Sequence, residues 1–196
     1  MGSESDGEFF TPLMYGRLEL IIGNMFSGKS SELIRRVNRE RSINKKILVI
    51  NFIGDNRYAQ NAVATHDNVK INSLKLSKLN EITPNMINQY DSFFIDEGQF
   101  FPDLYPFVKT LVDTHNKHVV VSGLDGDCNR NPFGDILKLI PISDTIDKLS
   151  AYCNKCKNGT IAPFTKKTVT NTGNNIIDIG GIEKYIPVCR KHFLFN

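Results

Sequence analysis

The 196-residue chain is short of several features that would mark a specialised class. No stretch approaches the roughly 18 consecutive apolar residues of a membrane span. Met1 to Glu8 is polar and acidic, without the basic and apolar regions of a secretory signal. Asp6 stands where an N-myristoylation pattern beginning at Gly2 takes Ser or Thr. Charge of one sign is missing too. The 24 Lys and Arg against 21 Asp and Glu leave a net +3, which is no footprint for nucleic acid or an acidic membrane. Only four cysteines occur, and in a chain with these intracellular signs they read as thiols or metal ligands, not disulfides. The expected location is cytoplasmic, with no nucleic-acid and no membrane partner. What is present, 40% hydrophobic and 23% charged residues, is ordinary for a globular protein. A chain of this length buries roughly 70% of its unfolded surface without covalent staples. The expected organisation is a disordered tail over residues 1–12, an α/β core over 13–150 and a small appendage over 151–196.

The core is organised around Gly23-Asn24-Met25-Phe26-Ser27-Gly28-Lys29-Ser30, which reads G-x-x-x-x-G-K-S. Arg17 to Ile22 before it is a short apolar strand. Leu33, Ile34 and Val37 after it fall at helical spacing, predicting a helix from Ser30 to Ile43. This context identifies a phosphate-binding loop. Backbone N–H groups line an anion site at a helix N-terminus, Lys29 reaches the β- and γ-phosphates, and the Ser30 hydroxyl can hold Mg²⁺. Arg35, Arg36, Arg39 and Arg41 read as a solvated helix face, with Glu32 and Arg36 at i,i+4. Ile47 to Ile53 is a continuous apolar run, the pattern of a strand covered on both sides. Strand, loop, helix and strand make a βαβ unit, and hence a parallel sheet with a right-handed crossover.

Asp55, Asn56 and Arg57 follow at the expected carboxyl end of that second strand, where α/β sheets bind ligands. They read equally well as a nucleotide contact or as a simple turn. Residues 60–90 predict short strands and a helix over Leu79 to Tyr90. Asp91 to Glu97 is an apolar strand ending in two acids. Asp96 fits the metal-side carboxylate of phosphate-loop proteins. Glu97, one residue on and so on the other face, fits a general base. Asp103 to Val112 predicts a helix with Pro106 in its first turn, and His118 to Gly123 a buried strand. Ile136 to Leu149 alternates loosely and closes the core. Beyond it, Cys153-x-x-Cys156 and Cys189-x-x-His192 supply three thiolates and an imidazole, the donor set of tetrahedral Zn²⁺. The segment between them, with strand-like pieces at Thr168–Thr170 and Ile176–Ile179, reads as a lid pinned at its base.

In order along the chain, Met25-Phe26-Ser27, Asp55-Asn56-Arg57-Tyr58, Asp96-Glu97-Gly98-Gln99-Phe100-Phe101, Leu124-Asp125-Gly126, Pro132-Phe133-Gly134 and Ile179-Gly180-Gly181 with Tyr185 resemble the zinc-containing type II thymidine kinases. The resemblance spans about Leu18 to Phe193. It implies a RecA-like fold, a homotetramer or dimer, inhibition by thymidine triphosphate, and ATP, Mg²⁺ and Zn²⁺ as cofactors. Glu97 would be the base for the 5′-hydroxyl of thymidine, with Ser30 and Asp96 serving Mg²⁺. Asp55, Asn56, Arg57 and Gln99 would line the nucleotide site or the reacting groups. Ile176, Ile177, Asp178, Ile179, Gly180 and Tyr185 would contact base and sugar from a lasso over the nucleoside. Met25, Phe101, Leu124 and Phe133 would surround the base, with Cys128 beside it. Three departures stand out. His192 replaces a common fourth cysteine, Cys128 a common aromatic, and Asp178 an apolar residue. The competing readings are a nucleic-acid-dependent phosphate-loop ATPase, a kinase for another deoxynucleoside, and an inactive zinc-and-nucleotide-binding module. The single short core and near-neutral charge argue against the first, and the intact Lys29, Ser30, Asp96 and Glu97 against the last.

Overall fold

The computed structural model describes residues 15–54, 62–64, 70–168 and 184–195. In chain order the elements are β1 Arg17–Gly23, α1 Lys29–Arg41, β2 Ile47–Phe52, β3 Ala62–Ala64, β4 Lys70–Asn72, β5 Leu74–Leu76, α2 Pro84–Gln89 and β6 Ser92–Ile95. They continue with α3 Leu104–Asp113, β7 His118–Gly123, β8 Thr145–Leu149, β9 Ala151–Tyr152, β10 Ile161–Ala162, β11 Phe164–Lys167, β12 Tyr185–Val188 and α4 Arg190–Leu194.

Six strands form one sheet in the order β5-β2-β6-β7-β1-β8, and every neighbouring pair is parallel. The apolar runs of the sequence become its interior, because a parallel sheet is covered on both faces. Side chains alternate accordingly. Leu18, Leu20 and Ile22 of β1 join Leu104, Val108, Leu111 and Val112 of α3 in one cluster. Ile21 joins Leu33, Ile34 and Val37 of α1 on the opposite face. Each of these α1 side chains contributes roughly 1.5–3 kcal/mol by leaving water. β1 and β2, consecutive in sequence and joined through α1, are not neighbours, since β6 and β7 lie between them.

Several local expectations change. The stretch Leu79 to Tyr90 is not one helix but a 3-10 turn, Leu79–Glu81, followed by α2. Pro84 holds Thr83 in extended geometry, and the Thr83 hydroxyl caps the new helix by accepting the Met86 N–H at 3.3 Å, as a residue before proline favours. Helix α1 ends at Arg41, two residues before the expected Ile43. The stretch from Ile136 resolves into a 3-10 segment, Ile136–Ile142, and a sixth strand, β8, at the sheet edge. Thr168 lies just past β11 and outside it. Val169, Thr170, Ile176–Ile179 and the expected tail over residues 1–12 lie outside the described residues.

Arg36 also departs from expectation. It does not join a solvated face: it is buried under α1, where its guanidinium meets Glu19 of β1 at 2.5 Å, Glu32 at 2.8 Å and Asp147 of β8. Arg35, Arg39 and Arg41 are exposed, as expected. The appendage consists of two short antiparallel pairs, β9 with β10 and β11 with β12. Their small core of Ala151, Cys153, Ala162, Val188 and Cys189 takes in Phe26 from the β1–α1 loop. Among the described residues no helix is long and apolar enough to cross a membrane.

Candidate active site and metal centre

β1 delivers the chain to the phosphate loop at the carboxyl edge of the sheet, and α1 begins at Lys29. Gly28 precedes it in left-handed backbone, φ 86° and ψ 13°. Nothing lies within 4 Å of where its Cβ would be, so backbone conformation, not space, requires glycine there. The Lys29 ammonium folds back to donate to the Asn24 carbonyl at 2.7 Å. The loop also leans on the appendage. The Met25 N–H donates to the Thr165 hydroxyl of β11 at 3.0 Å. The Asn24 amide donates to the Met25 carbonyl at 2.9 Å and to the Phe164 carbonyl at 3.5 Å, and its oxygen accepts the Ala151 N–H at 3.4 Å. Phe26 takes φ 65° and packs into the appendage core. Ser27 sits half-buried between these anchors.

β6 brings Asp96 to the same place. Its backbone continues the ladder, the Asp96 N–H donating to Ile50 at 2.9 Å, and the Ser30 hydroxyl donates to its carboxylate at 3.1 Å. Burial pushes the Asp96 carboxyl up to about 6, helped by the neighbouring Glu97 and opposed by the Ser122 and Ser30 hydroxyls and by Lys29. Hydroxyl and carboxylate together are hard oxygen donors, the type that suits Mg²⁺. Glu97 does not reach the opposite face by strand alternation. The strand has ended, and Glu97 takes left-handed backbone, φ 55° and ψ 40°, ahead of a 3-10 turn over Gly98–Phe100. Sparsely populated backbone of this kind costs about 1–3 kcal/mol and clusters at functional sites.

Gln99 is buried beside these acids. It donates to the Glu97 carboxylate at 2.5 Å and accepts the Leu124 N–H at 2.9 Å. Phe133 meets Phe100 edge-on at 5.3 Å. Phe101 lies fully buried in the main core, its ring edge-on to Phe52. Met25 is buried, Leu124 and Cys128 are half-buried, and Tyr185 is buried at the start of β12, paired with Lys167. Asp55, Asn56 and Arg57, and Ile176, Ile177, Asp178, Ile179 and Gly180, lie outside the described residues. Sequence reasoning did not find Thr165, 140 residues from the loop it supports. No local pattern marks such a contact.

At the base of the appendage the Cys153, Cys156 and Cys189 sulfurs and one His192 nitrogen lie within 4.8 Å of one another. His192 Nδ1 is 3.5, 3.4 and 3.4 Å from the three sulfurs, and Cys156 Sγ is 3.8 Å from Cys189 Sγ. A tetrahedral zinc with Zn–S of about 2.3 Å and Zn–N of about 2.0 Å separates sulfurs by about 3.8 Å and sulfur from nitrogen by about 3.5 Å. The set fits zinc in donor type and in spacing. Burial works against the Cys153 thiolate, but the Cys189, Cys156 and Lys155 N–H groups and His192 outweigh it and lower that thiol to about 6. Burial and the neighbouring Cys153 push Cys156 the other way.

A family model described as thymidine kinase matches residues 16–193. Thymidine kinase a of Arabidopsis thaliana is 38% identical over 203 residues, covering 100% of this chain and 84% of the plant protein. The thymidine kinase of Variola virus (isolate Human/India/Ind3/1967) is 43% identical over 179 residues, covering 91% of this chain and 97% of its own length. That of Vaccinia virus (strain Western Reserve) is 42% identical over 179 residues with the same two coverages.

Proposed function

The chain belongs to the thymidine kinase family, and from that premise we propose that it transfers the γ-phosphate of ATP to the 5′-hydroxyl of thymidine. The products are thymidine monophosphate and ADP. The observation that carries this reading is the meeting of the phosphate loop with the end of β6, where Ser30 lies 3.1 Å from Asp96 and Glu97 is the next residue. Phosphoryl transfer asks for positioning and charge neutralisation, and each need has a residue here. The N–H groups opening α1 cradle the phosphates, and Lys29 neutralises charge on the β- and γ-phosphates. Ser30 and Asp96 would hold Mg²⁺, which when bound offsets the negative charge of the phosphate oxygens. Glu97 accepts the 5′-hydroxyl proton, a role worth roughly 10²–10⁴-fold in rate. Arg57, with Asp55 and Asn56, adds a contact to the nucleotide. The region 151–196, which zinc on Cys153, Cys156, Cys189 and His192 would hold at its base, closes over the nucleoside. Closure keeps water from taking the phosphoryl group. Met25, Phe101, Leu124 and Phe133 contribute the apolar surround of the base, and Tyr185 contacts base or sugar.

The test is transfer from γ-labelled ATP–Mg²⁺ with thymidine, the other deoxynucleosides and single-stranded DNA offered in parallel. Labelled thymidine monophosphate, formed faster than any other nucleotide, is the expected result. Preference for another deoxynucleoside would replace the substrate while keeping the chemistry. Free phosphate rising only with DNA would overturn the kinase reading.

A further inference from the structure

Gln99 is a polar side chain only 3% exposed, and both ends of its amide are engaged. Its oxygen accepts the Leu124 N–H at 2.9 Å. A backbone N–H can only donate, so the oxygen must face Leu124 and the amide nitrogen must face the Glu97 carboxylate, 2.5 Å away. The orientation of the amide is therefore settled by chemistry. The bridge spans two strand ends, because Glu97 follows β6 and Leu124 follows β7.

Backbone closes on Gln99 from two directions, at its side-chain amide and at its main-chain carbonyl. A Cβ at Gly123 would stand 2.3 Å from the Gln99 oxygen and 2.7 Å from Ile136 Cδ1. A Cβ at Gly134, which has φ +58°, would stand 2.1 Å from the Gln99 carbonyl oxygen. Glycine at both positions lets the chain press directly on Gln99. The segment from Leu124 to Gly134 thus meets Gln99 at each end, hydrogen-bonded to its side chain at Leu124 and packed on its backbone at Gly134. It includes Leu124, Cys128 and Phe133, three of the residues expected around the nucleoside.

We propose that Gln99 is a positioning residue of the phosphoryl-transfer centre, holding the Glu97 carboxylate in one orientation and coupling it to the Leu124–Gly134 segment. The proposal rests on the base role given above to Glu97. The terminal torsion of a glutamate is broad, and a base works only within hydrogen-bond reach of its proton. The amide donor narrows that torsion before substrate arrives. Because the same side chain anchors Leu124, base and nucleoside-facing segment shift together. The role differs from a direct nucleotide contact, since both polar ends of Gln99 are turned to the protein.

The test is a double-mutant cycle in the full-length zinc-loaded protein, with Gln99→Met and Glu97→Gln alone and combined. kcat, KM for ATP and thymidine, ATP Kd without thymidine, and thermal midpoint are read for each. Gln99→Met is expected to lower kcat roughly 10²-fold, the usual cost of a misplaced catalytic group, with ATP Kd within about twofold of wild type. In the Glu97→Gln background the same change is expected to cost almost nothing, because a residue acting only through Glu97 has nothing left to position. Equal losses in both backgrounds, or a raised ATP Kd with kcat intact, would overturn the proposal. Gln99→Asn keeps the amide but is one methylene too short to reach both Glu97 and Leu124, so its kcat should stay low. If Gln99→Met does not fold, Gln99→Asn takes its place in the cycle with the same two outcomes. Near-normal turnover of Glu97→Gln alone would instead remove the base reading itself.

Discussion

Asp96 and Glu97 are adjacent in sequence and chemically alike, yet their surroundings separate them. Asp96 ends the ladder of β6, is buried, and receives the Ser30 hydroxyl. Glu97 has left the strand in left-handed backbone and receives the Gln99 amide. A metal-side carboxylate and a general base need such a division, since one must face the phosphates and the other the incoming hydroxyl. The prediction at this scale is that Glu97→Gln retains ATP binding and loses roughly 10²–10⁴-fold in kcat. Equilibrium ATP titration and single-turnover transfer to thymidine measure the two quantities separately. Turnover close to wild type would take Glu97 out of the base role.

At the scale of the element, α1 is anchored at both ends. Its N-terminus is the phosphate loop. Its later turns sit on a buried ion network in which Arg36 meets Glu19, and His118 at the start of β7 lies between Glu19 and Glu40. The His118 imidazole, 3.2 Å from its carboxylate, holds Glu19 well below its ordinary value, at about 2 despite burial, with the charges of Arg17 and Arg36 adding to the effect. Burial opposes the His118 imidazolium, but Glu19 and Glu40 outweigh it and raise its pKa above the ordinary 6.5. The two groups act at opposite ends of the pH scale. The Glu19 contribution is full above its ordinary 4.5 and is lost as pH falls toward about 2. The His118 contribution is full below about 6.5 and is lost as pH rises through the raised value. Urea unfolding from pH 3 to pH 9 should therefore show an acid decline in wild type that is smaller in His118→Asn, because His118 is the largest cause of the Glu19 shift. A decline above pH 6.5 that wild type shows should be smaller in the variant. Identical alkaline behaviour in the two proteins would dismiss the imidazolium as a source of stability.

At the scale of the whole molecule, the phosphate loop is held from outside the sheet. Met25 hangs on Thr165, Asn24 on Phe164 and Ala151, and Phe26 lies in the same small core as Cys153 and Cys189. Arg130, from the segment after β7, adds a second tie by stacking over Phe193 at 4.4 Å and Phe164 at 5.5 Å. A donor set pinned by a metal couples binding to local folding. Chelation that strips zinc, checked by metal analysis, should weaken both ATP and thymidine binding. Amide protection in β1, β6 and β7 should survive, because their core is independent of the Cys and His residues. Unchanged affinity for both ligands after metal loss would show that the appendage does not support the loop.

Short-range patterns made the strand–loop–helix unit, the acidic end of β6 and the paired Cys/His knuckles legible, because alternation, helical spacing and C-x-x-C spacing act within one element. The parallel sheet followed from the same runs. Strand order did not, since pairing between β1, β7 and β8 is decided by distant backbone partners. Burial of Arg36 needed Asp147, 111 residues away, and support of Met25 needed Thr165, 140 residues away. The split at Pro84 was written locally, in the proline and the threonine before it. The sequence by itself therefore determined which groups could bind phosphate, metal and a proton. Only the tertiary structure decided how they are aimed, because aiming rests on contacts between segments that chain order leaves far apart.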